Sequence, residues 1–275
     1  MNRPVTSRRR RALGQHFLSN PGAADRIINS FHAAPGDHVI EIGPGRGVLT
    51  GPLLQSGAAV TAIEVDPALA AHLTERFGSE QRFKLIEADV LKCDIAAIAG
   101  PARARVLANL PYSITGPVLV RLFGACACLT DMTLMLQREV VNRIVATPGG
   151  RIYGSLSVLA QYFTEPRIVM KVGPGSFTPP PAVSSTVVAM PFRPVRELSP
   201  AMEKLYPPYV RMLFAHRRRT LANNLKAAAS LDAGAAALWD PMALLARTGI
   251  DPTRRPETLT REEALRLFLE KMSAE

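Results

Sequence analysis

The chain has 275 residues, of which 47% are apolar: room for one large domain and a small one around a real core, and no match to a disordered chain. Three cysteines rule out a disulfide-built scaffold, five prolines in the longest charge-free run (172–192) rule out a membrane span there, and no apolar block follows the basic start, so a soluble, cytoplasmic protein without a secretory signal is expected. Lys and Arg total 33 against 23 Asp and Glu, a net charge of +10, and the excess is concentrated: residues 1–24 hold five Arg and no acid, residues 204–231 hold six basic residues and no acid, and a neutral body with two basic segments suggests a polyanionic partner.

In chain order, Asn20-Pro21 reads as a cap followed by a first-turn proline, and Ala24, Ile27, Ile28 and Phe31 follow at helical spacing. Runs at 38–42, 59–65, 83–88, 104–108 and 132–136 are short, rich in Val, Ile and Leu, and apolar on both faces, as buried parallel strands are. Helical patterns at 67–77, 117–123 and 139–146 alternate with them, so the expected fold is α/β with a doubly wound, Rossmann-like sheet. Two further strands, 167–172 and 186–191, have a Gly- and Pro-rich loop and no helix between them, which predicts an antiparallel pair closing the sheet edge. Beyond Pro194 the texture turns helical, over 206–229, 241–248 and 260–272. Thr260 and Glu263 form a capping box, with Leu265, Phe268, Leu269 and Met272 as the buried stripe behind it. The expected division is 1–194, with a basic arm over 1–18, and a small all-helical domain over 195–275.

The strand ends carry the chemistry. Strand 38–42 runs into Gly43-Pro44-Gly45-Arg46-Gly47, where glycines allow a sharp turn and close approach of a ligand to the backbone. Glu64, 21 residues after Gly43, ends the next strand, where a carboxylate can accept two hydrogen bonds from a ribose diol. Asp89, 25 residues further on, ends the third and is placed to meet the amino edge of an adenine. A nicotinamide site has the spacing G-x-G-x-x-G so that a helix end holds a pyrophosphate; here the spacing is G-x-G-x-G, with Val48 at the place of the third glycine. S-adenosylmethionine, which has no phosphate and carries a sulfonium charge, fits the three strand ends better; the competing reading is that Glu64 and Asp89 only cap helices.

The fourth strand ends in Asn109-Leu110-Pro111-Tyr112, which resembles the strand-end theme of N6-adenine methyltransferases. An exocyclic amine is a poor nucleophile because its lone pair is conjugated with the ring. An Asn side-chain oxygen and a backbone carbonyl that accept its two N–H bonds hold the nitrogen in line with the donor methyl, and positioning and electrostatics carry most of the rate. An aromatic face at Tyr112 gives an extruded base a place to stack.

Further stretches match one family in order: GQHFL over 14–18, QREVVNR over 137–143, FTPPPAVSS over 177–185 and FAHRRRTL over 214–221. With EIGPG and NLPY they resemble the ribosomal RNA adenine dimethyltransferase family over nearly the whole chain, and within it the bacterial small-subunit branch. The resemblance implies a class I methyltransferase sheet with a small helical C-terminal domain, acting with S-adenosylmethionine and no metal on two adjacent adenosines of the 3′-terminal hairpin of 16S rRNA. It also implies individual roles. His16 and Leu18 contact the cofactor, Gly43 and Gly45 line its methionine end, Glu64 binds its ribose, Asp89 its adenine amino group, and Asn109 lies between cofactor and target. Leu110 offers a backbone carbonyl, and Tyr112 and Phe177 sandwich the target base. From their charge, the basic arm and Arg217, Arg218, Arg219 and Lys226 are expected to grip RNA phosphates. His16 departs from the Asn that many relatives have, and Arg219 stands where Lys is common. Two alternatives stay open: the antibiotic-resistance branch acting on large-subunit rRNA, whose motif is of NIPF type, and a non-catalytic nucleic-acid binder on the same fold. An arginine-rich start also occurs in organelle targeting segments, against which the placing of 14–18 in the folded site argues. Cys93, Cys126 and Cys128 lack the spacing of a zinc site, and a monomer is expected.

Overall fold

The computed structural model describes residues 16–231 and 239–274, and the chain divides into two compact units. One runs to Val141 and resumes over Pro166–Phe192; the other takes Asn142–Glu165 and everything from Arg193 on. The first unit contains, in order, β1 (Phe17–Leu18), α1 (Pro21–Phe31), β2 (His38–Ile42), α2 (Thr50–Gln55), β3 (Ala59–Glu64), α3 (Pro67–Phe77), β4 (Phe83–Glu87), α4 (Ile95–Ala99), β5 (Ala104–Asn109), α5 (Thr115–Gly124) and β6 (Leu129–Gln137). A helix, α6 (Arg138–Ile144), follows β6, and the unit is completed by β7 (Arg167–Val172), β8 (Phe177–Thr178) and β9 (Ser185–Pro191).

Among the described residues the main sheet has the order β4-β3-β2-β5-β6-β9-β7. Its first five strands are parallel, while β9 runs antiparallel to both β6 and β7. The expected edge pair is present, with β9 inside and β7 outermost. Buried positions such as Val39, Ile40, Val60, Ala62 and Val106 explain why these strands read as continuous apolar runs: helices cover both faces. Asn20 caps α1 by accepting the Ala23 N–H at 3.1 Å, and Ala24, Ile27 and Phe31 form its buried stripe. Arg105 fastens the end of the sheet away from the glycine loop, with ion pairs to Asp37 at 2.9 Å and Asp131 at 2.8 Å and its guanidinium 4.1 Å over the Phe31 ring.

Register is what makes a site. Ile42 pairs with Ile63 on one side and Ala108 on the other, Glu64 pairs with Glu87, and Asn109 with Met135, so the carboxyl ends of β2, β3, β4 and β5 finish level. The chain winds outward in opposite senses from β2, to β3 on one side and β5 on the other. That switch point is where open α/β sheets bind ligands. A separate two-stranded ribbon, β1 with β8, pairs Phe17 with Thr178 and Leu18 with Phe177. Of the GQHFL stretch, the ribbon makes Phe17 and Leu18 a strand.

The second unit is helical: α7 (Ser155–Phe163), α8 (Pro200–Leu213), α9 (Leu221–Leu231), α10 (Pro241–Thr248) and α11 (Arg261–Ala274). The expected single boundary at 194 differs from this division in one respect. Residues 142–165 join the helical unit because α7 supplies Tyr162, whose ring packs 4.8 Å from that of Tyr206 in α8. The expected continuous helix over 206–229 is broken. Residues 214–220 form a turn, tied down by the buried Asn224, whose Nδ2 donates to the His216 carbonyl at 3.1 Å, and α9 restarts beyond Thr220. The capping box holds: Thr260 Oγ1 accepts the Glu263 N–H at 3.1 Å and Glu263 Oε2 accepts the Thr260 N–H at 2.8 Å. Behind it Ala264 and Leu267 are buried with Leu265 and Phe268, while Leu269 and Met272 are only half-buried.

Candidate active site

A crevice opens over the level ends of the parallel strands. Its lining brings together His16, Leu18, Gly43, Gly45, Glu64, Asp89, Asn109, Leu110, Tyr112 and Phe177, which are all the expected cofactor and target-base residues. Glycine is required in the loop after β2. Gly43, Gly45 and Gly47 have φ of 68°, 59° and 76°, and a Cβ on Gly45 would stand 3.1 Å from the Phe17 ring. The loop thus packs directly under the β1 ribbon. Its Gly45 N–H donates to Glu64 Oε2 at 3.2 Å, and Glu64 Oε1 accepts the Val65 and Asp66 N–H groups at 2.9 Å each.

Two carboxylates are buried here. Burial pushes the Glu64 carboxyl above its ordinary range, opposed by the N–H groups of Asp66, Gly45 and Val65. Glu41, within β2, is pushed up further, to about 7, first by burial and then by the nearby Glu64 charge; the Thr50 hydroxyl, donating to Glu41 Oε2 at 2.6 Å, partly offsets this. Glu41 lines the crevice, and sequence reasoning missed it. The available signal was a charged residue inside an otherwise apolar run, two positions before the glycine loop. Asp89 does act as a cap, with Oδ1 accepting the Leu91 N–H at 2.9 Å, yet it is also part of the crevice wall.

At the fourth strand end the Asn109 amide is anchored by its nitrogen: Nδ2 donates to the His16 carbonyl at 3.3 Å. The Leu110 N–H donates to the Met135 carbonyl at 3.3 Å, holding the turn against β6. Tyr112 is half-buried, its hydroxyl 3.3 Å from Ser185 Oγ and its ring 5.8 Å from that of His16 at an interplanar angle of 35°. Phe177 is buried in β8 and reaches the same crevice. Arg217, Arg218, Arg219 and Lys226 are not part of this lining; they are exposed on the helical unit, the three arginines in the turn between α8 and α9. Residues 1–15 of the basic arm fall outside the described residues.

A parallel sheet with this order, an antiparallel edge and a glycine-looped, acid-tipped crevice at its switch point define a class I methyltransferase. The chain belongs to the ribosomal RNA adenine dimethylase family, whose model matches residues 6–268. It is 42% identical over 267 residues to ribosomal RNA small subunit methyltransferase A of Nitrosococcus oceani, covering 94% of this chain and 95% of that one. Identity to the Pseudomonas aeruginosa protein of the same name is 41% over 266 residues, covering 94% and 93%. Among solved structures, a dimethyladenosine transferase from Plasmodium falciparum superposes with a TM-score of 0.76 at 25% identity, covering 94% of this chain and 98% of that one.

Proposed function

We propose that the chain transfers methyl groups from S-adenosylmethionine to the N6 amines of two adjacent adenosines in the 3′-terminal hairpin of 16S rRNA, in the biogenesis of the small ribosomal subunit. The observation that carries this is the Asn109 amide, anchored through its nitrogen at 3.3 Å and so left with its oxygen as acceptor, in a crevice that also holds buried acids.

The donor set suits the cofactor. Glu41 and Glu64 give the crevice two buried carboxyl groups close enough for the charge of Glu64 to raise Glu41, a field that favours a sulfonium and an ammonium and opposes a diphosphate. Glu64 would accept from the ribose hydroxyls, Asp89 from the adenine amino group, and Gly43 and Gly45 would let the methionine end lie against the backbone, with His16 and Leu18 closing over it. S-adenosylmethionine supplies an electrophilic methyl group when bound. The chain's own residues do the rest. Asn109 Oδ1 and the Leu110 carbonyl accept the two N6–H bonds, which aims the nitrogen lone pair along the transfer axis. Tyr112 and Phe177 take up the extruded base by stacking, each contributing on the order of 1–3 kcal/mol. The fixed dipoles need no reorganisation as charge develops on the nitrogen.

Arg217, Arg218, Arg219 and Lys226 present exposed positive charge on the helical unit and would hold RNA phosphates. The test is incubation with small subunits lacking the modification and a labelled methyl donor, followed by mapping. Two adjacent dimethylated adenosines in the 3′-terminal hairpin are expected. Labelling of large-subunit rRNA alone would place the chain with the antibiotic-resistance branch, and RNA binding without transfer would make it a non-catalytic assembly factor.

A further inference from the structure

The N-terminal strap around β1, whose His16, Phe17 and Leu18 line the crevice, is held by more than strand pairing. Beyond the two β1–β8 residue pairs, the Ser19 N–H donates to the Ser176 carbonyl at 2.8 Å and Thr178 Oγ1 donates to Ser19 Oγ at 3.0 Å. His16 extends this seam with its side chain, because Nδ1 lies 2.8 Å from the Pro179 carbonyl oxygen. A carbonyl only accepts, so Nδ1 carries the hydrogen, and it does so whether the ring is neutral or protonated. The same ring leans on Tyr112, and the same residue's carbonyl receives Asn109 Nδ2. Three contacts of one residue therefore join the strap, the stacking aromatic and the Asn109 amide.

The consequence is an amide with one allowed face. Rotating Asn109 by half a turn would set Oδ1 against the His16 carbonyl, acceptor against acceptor, and would offer an N–H to an incoming amine that itself needs an acceptor. We propose that His16 is a positioning residue for methyl transfer: its imidazole pins the strap to Pro179 and Tyr112, and its carbonyl thereby fixes Asn109 with Oδ1 turned to the N6 amine. The inference rests on the N6-transfer reading above and adds to it a residue that acts through another. It concerns the amide's orientation and is separate from any contact of His16 with the cofactor.

Three variants and two readouts test it. His16→Ala removes the Nδ1 donor and the ring, His16→Phe keeps a ring without the donor, and His16→Asn returns a side-chain N–H. Outer partners that orient a functional group typically carry about 10–100-fold in activity. At saturating cofactor, His16→Ala and His16→Phe are therefore expected to lower kcat at least about tenfold, with KM for RNA within about twofold of wild type, and His16→Asn to stay within about threefold in kcat. The second readout needs no turnover: in nuclear magnetic resonance the Asn109 side-chain amide protons of His16→Ala should exchange with water at least about tenfold faster. An unchanged kcat in His16→Ala, a loss confined to KM or to cofactor affinity, or an unchanged amide exchange rate overturns the proposal. Wild-type protein inactive on unmodified subunits removes the methyl-transfer reading and with it the positioning role in catalysis, while amide exchange that responds as expected would still show that His16 fixes the Asn109 amide.

Discussion

Glu41 occupies a strand whose neighbours Val39, Ile40 and Ile42 are buried, and the cost of charging it there lifts its carboxyl from the ordinary 4.5 to about 7. An acid whose pKa is higher in the folded than in the unfolded state binds its proton more tightly when folded. Its contribution to stability is therefore complete below the unfolded value and disappears as pH rises through the folded one. A tenfold change in proton affinity corresponds to about 1.4 kcal/mol, so on the order of 3 kcal/mol is lost between about pH 4.5 and 7.5. Glu64 is raised too and acts in the same sense. Glu41→Gln should therefore flatten the pH dependence and raise Tm at pH 8 by on the order of 5–10 °C, with little change at pH 5, by scanning calorimetry. Asn109 makes a different kind of prediction. Its amide makes one 3.3 Å bond and is only half-buried, so Asn109→Ala should leave Tm and S-adenosylhomocysteine affinity nearly unchanged while lowering methyl transfer by about 100-fold or more, measured in single-turnover label transfer. Asn109 was legible because it sits where a strand meets a proline turn. Glu41 was not, since its burial and its Thr50 partner appear only when the helix after the glycine loop folds back over β2.

At the level of elements, the parallel strands and their order of chemistry could be read because each strand closes on punctuation: Gly43, Glu64, Asp89, then Asn109 with Pro111. Pairings between distant short segments could not. The β1–β8 ribbon joins Phe17 to Thr178 through two residues a side, too few for any periodicity to show. The break between α8 and α9 escaped for a related reason. The apolar pattern continues across it, and the turn is fixed by Asn224 reaching back to His216, a polar contact that hydrophobic spacing does not encode. Where a local polar rule did apply, at the start of α11, it transferred intact, and it supports a graded prediction. Thr260→Ala removes one cap acceptor and should cost about 1 kcal/mol. Glu263→Ala should cost more, about 2 kcal/mol, because Glu263 also receives Arg254 through Nη1 at 2.6 Å and Nη2 at 2.9 Å. Urea unfolding of the two variants checks the order; equal losses would mean the Arg254 fork contributes nothing.

For the whole molecule, charge and chemistry are divided between different residues. The net charge is +10, yet the crevice lining sets the acids Glu41, Glu64 and Asp89 against one arginine, Arg46, so the positive excess is carried mainly by residues other than those around the chemistry. Exposed Arg217, Arg218, Arg219 and Lys226 belong to the helical unit, and each phosphate they neutralise would release counterions from the RNA. These arginines are not equivalent. Arg217 already donates through Nη2 to the Arg151 carbonyl at 2.6 Å, so part of its hydrogen-bonding capacity is committed before RNA arrives. Replacing Arg218 and Arg219 together by Gln should weaken hairpin binding at moderate salt by about tenfold or more, and should reduce the slope of log K against log salt by about 0.7–0.9 for each phosphate no longer neutralised. Arg217→Gln alone should change the slope least. S-adenosylhomocysteine affinity should stay as in wild type in all of them, because none of the substituted residues lines the crevice. A salt slope unchanged in the double variant, measured by titration over a range of potassium chloride, would move the phosphate grip off this turn and onto other basic residues of the chain.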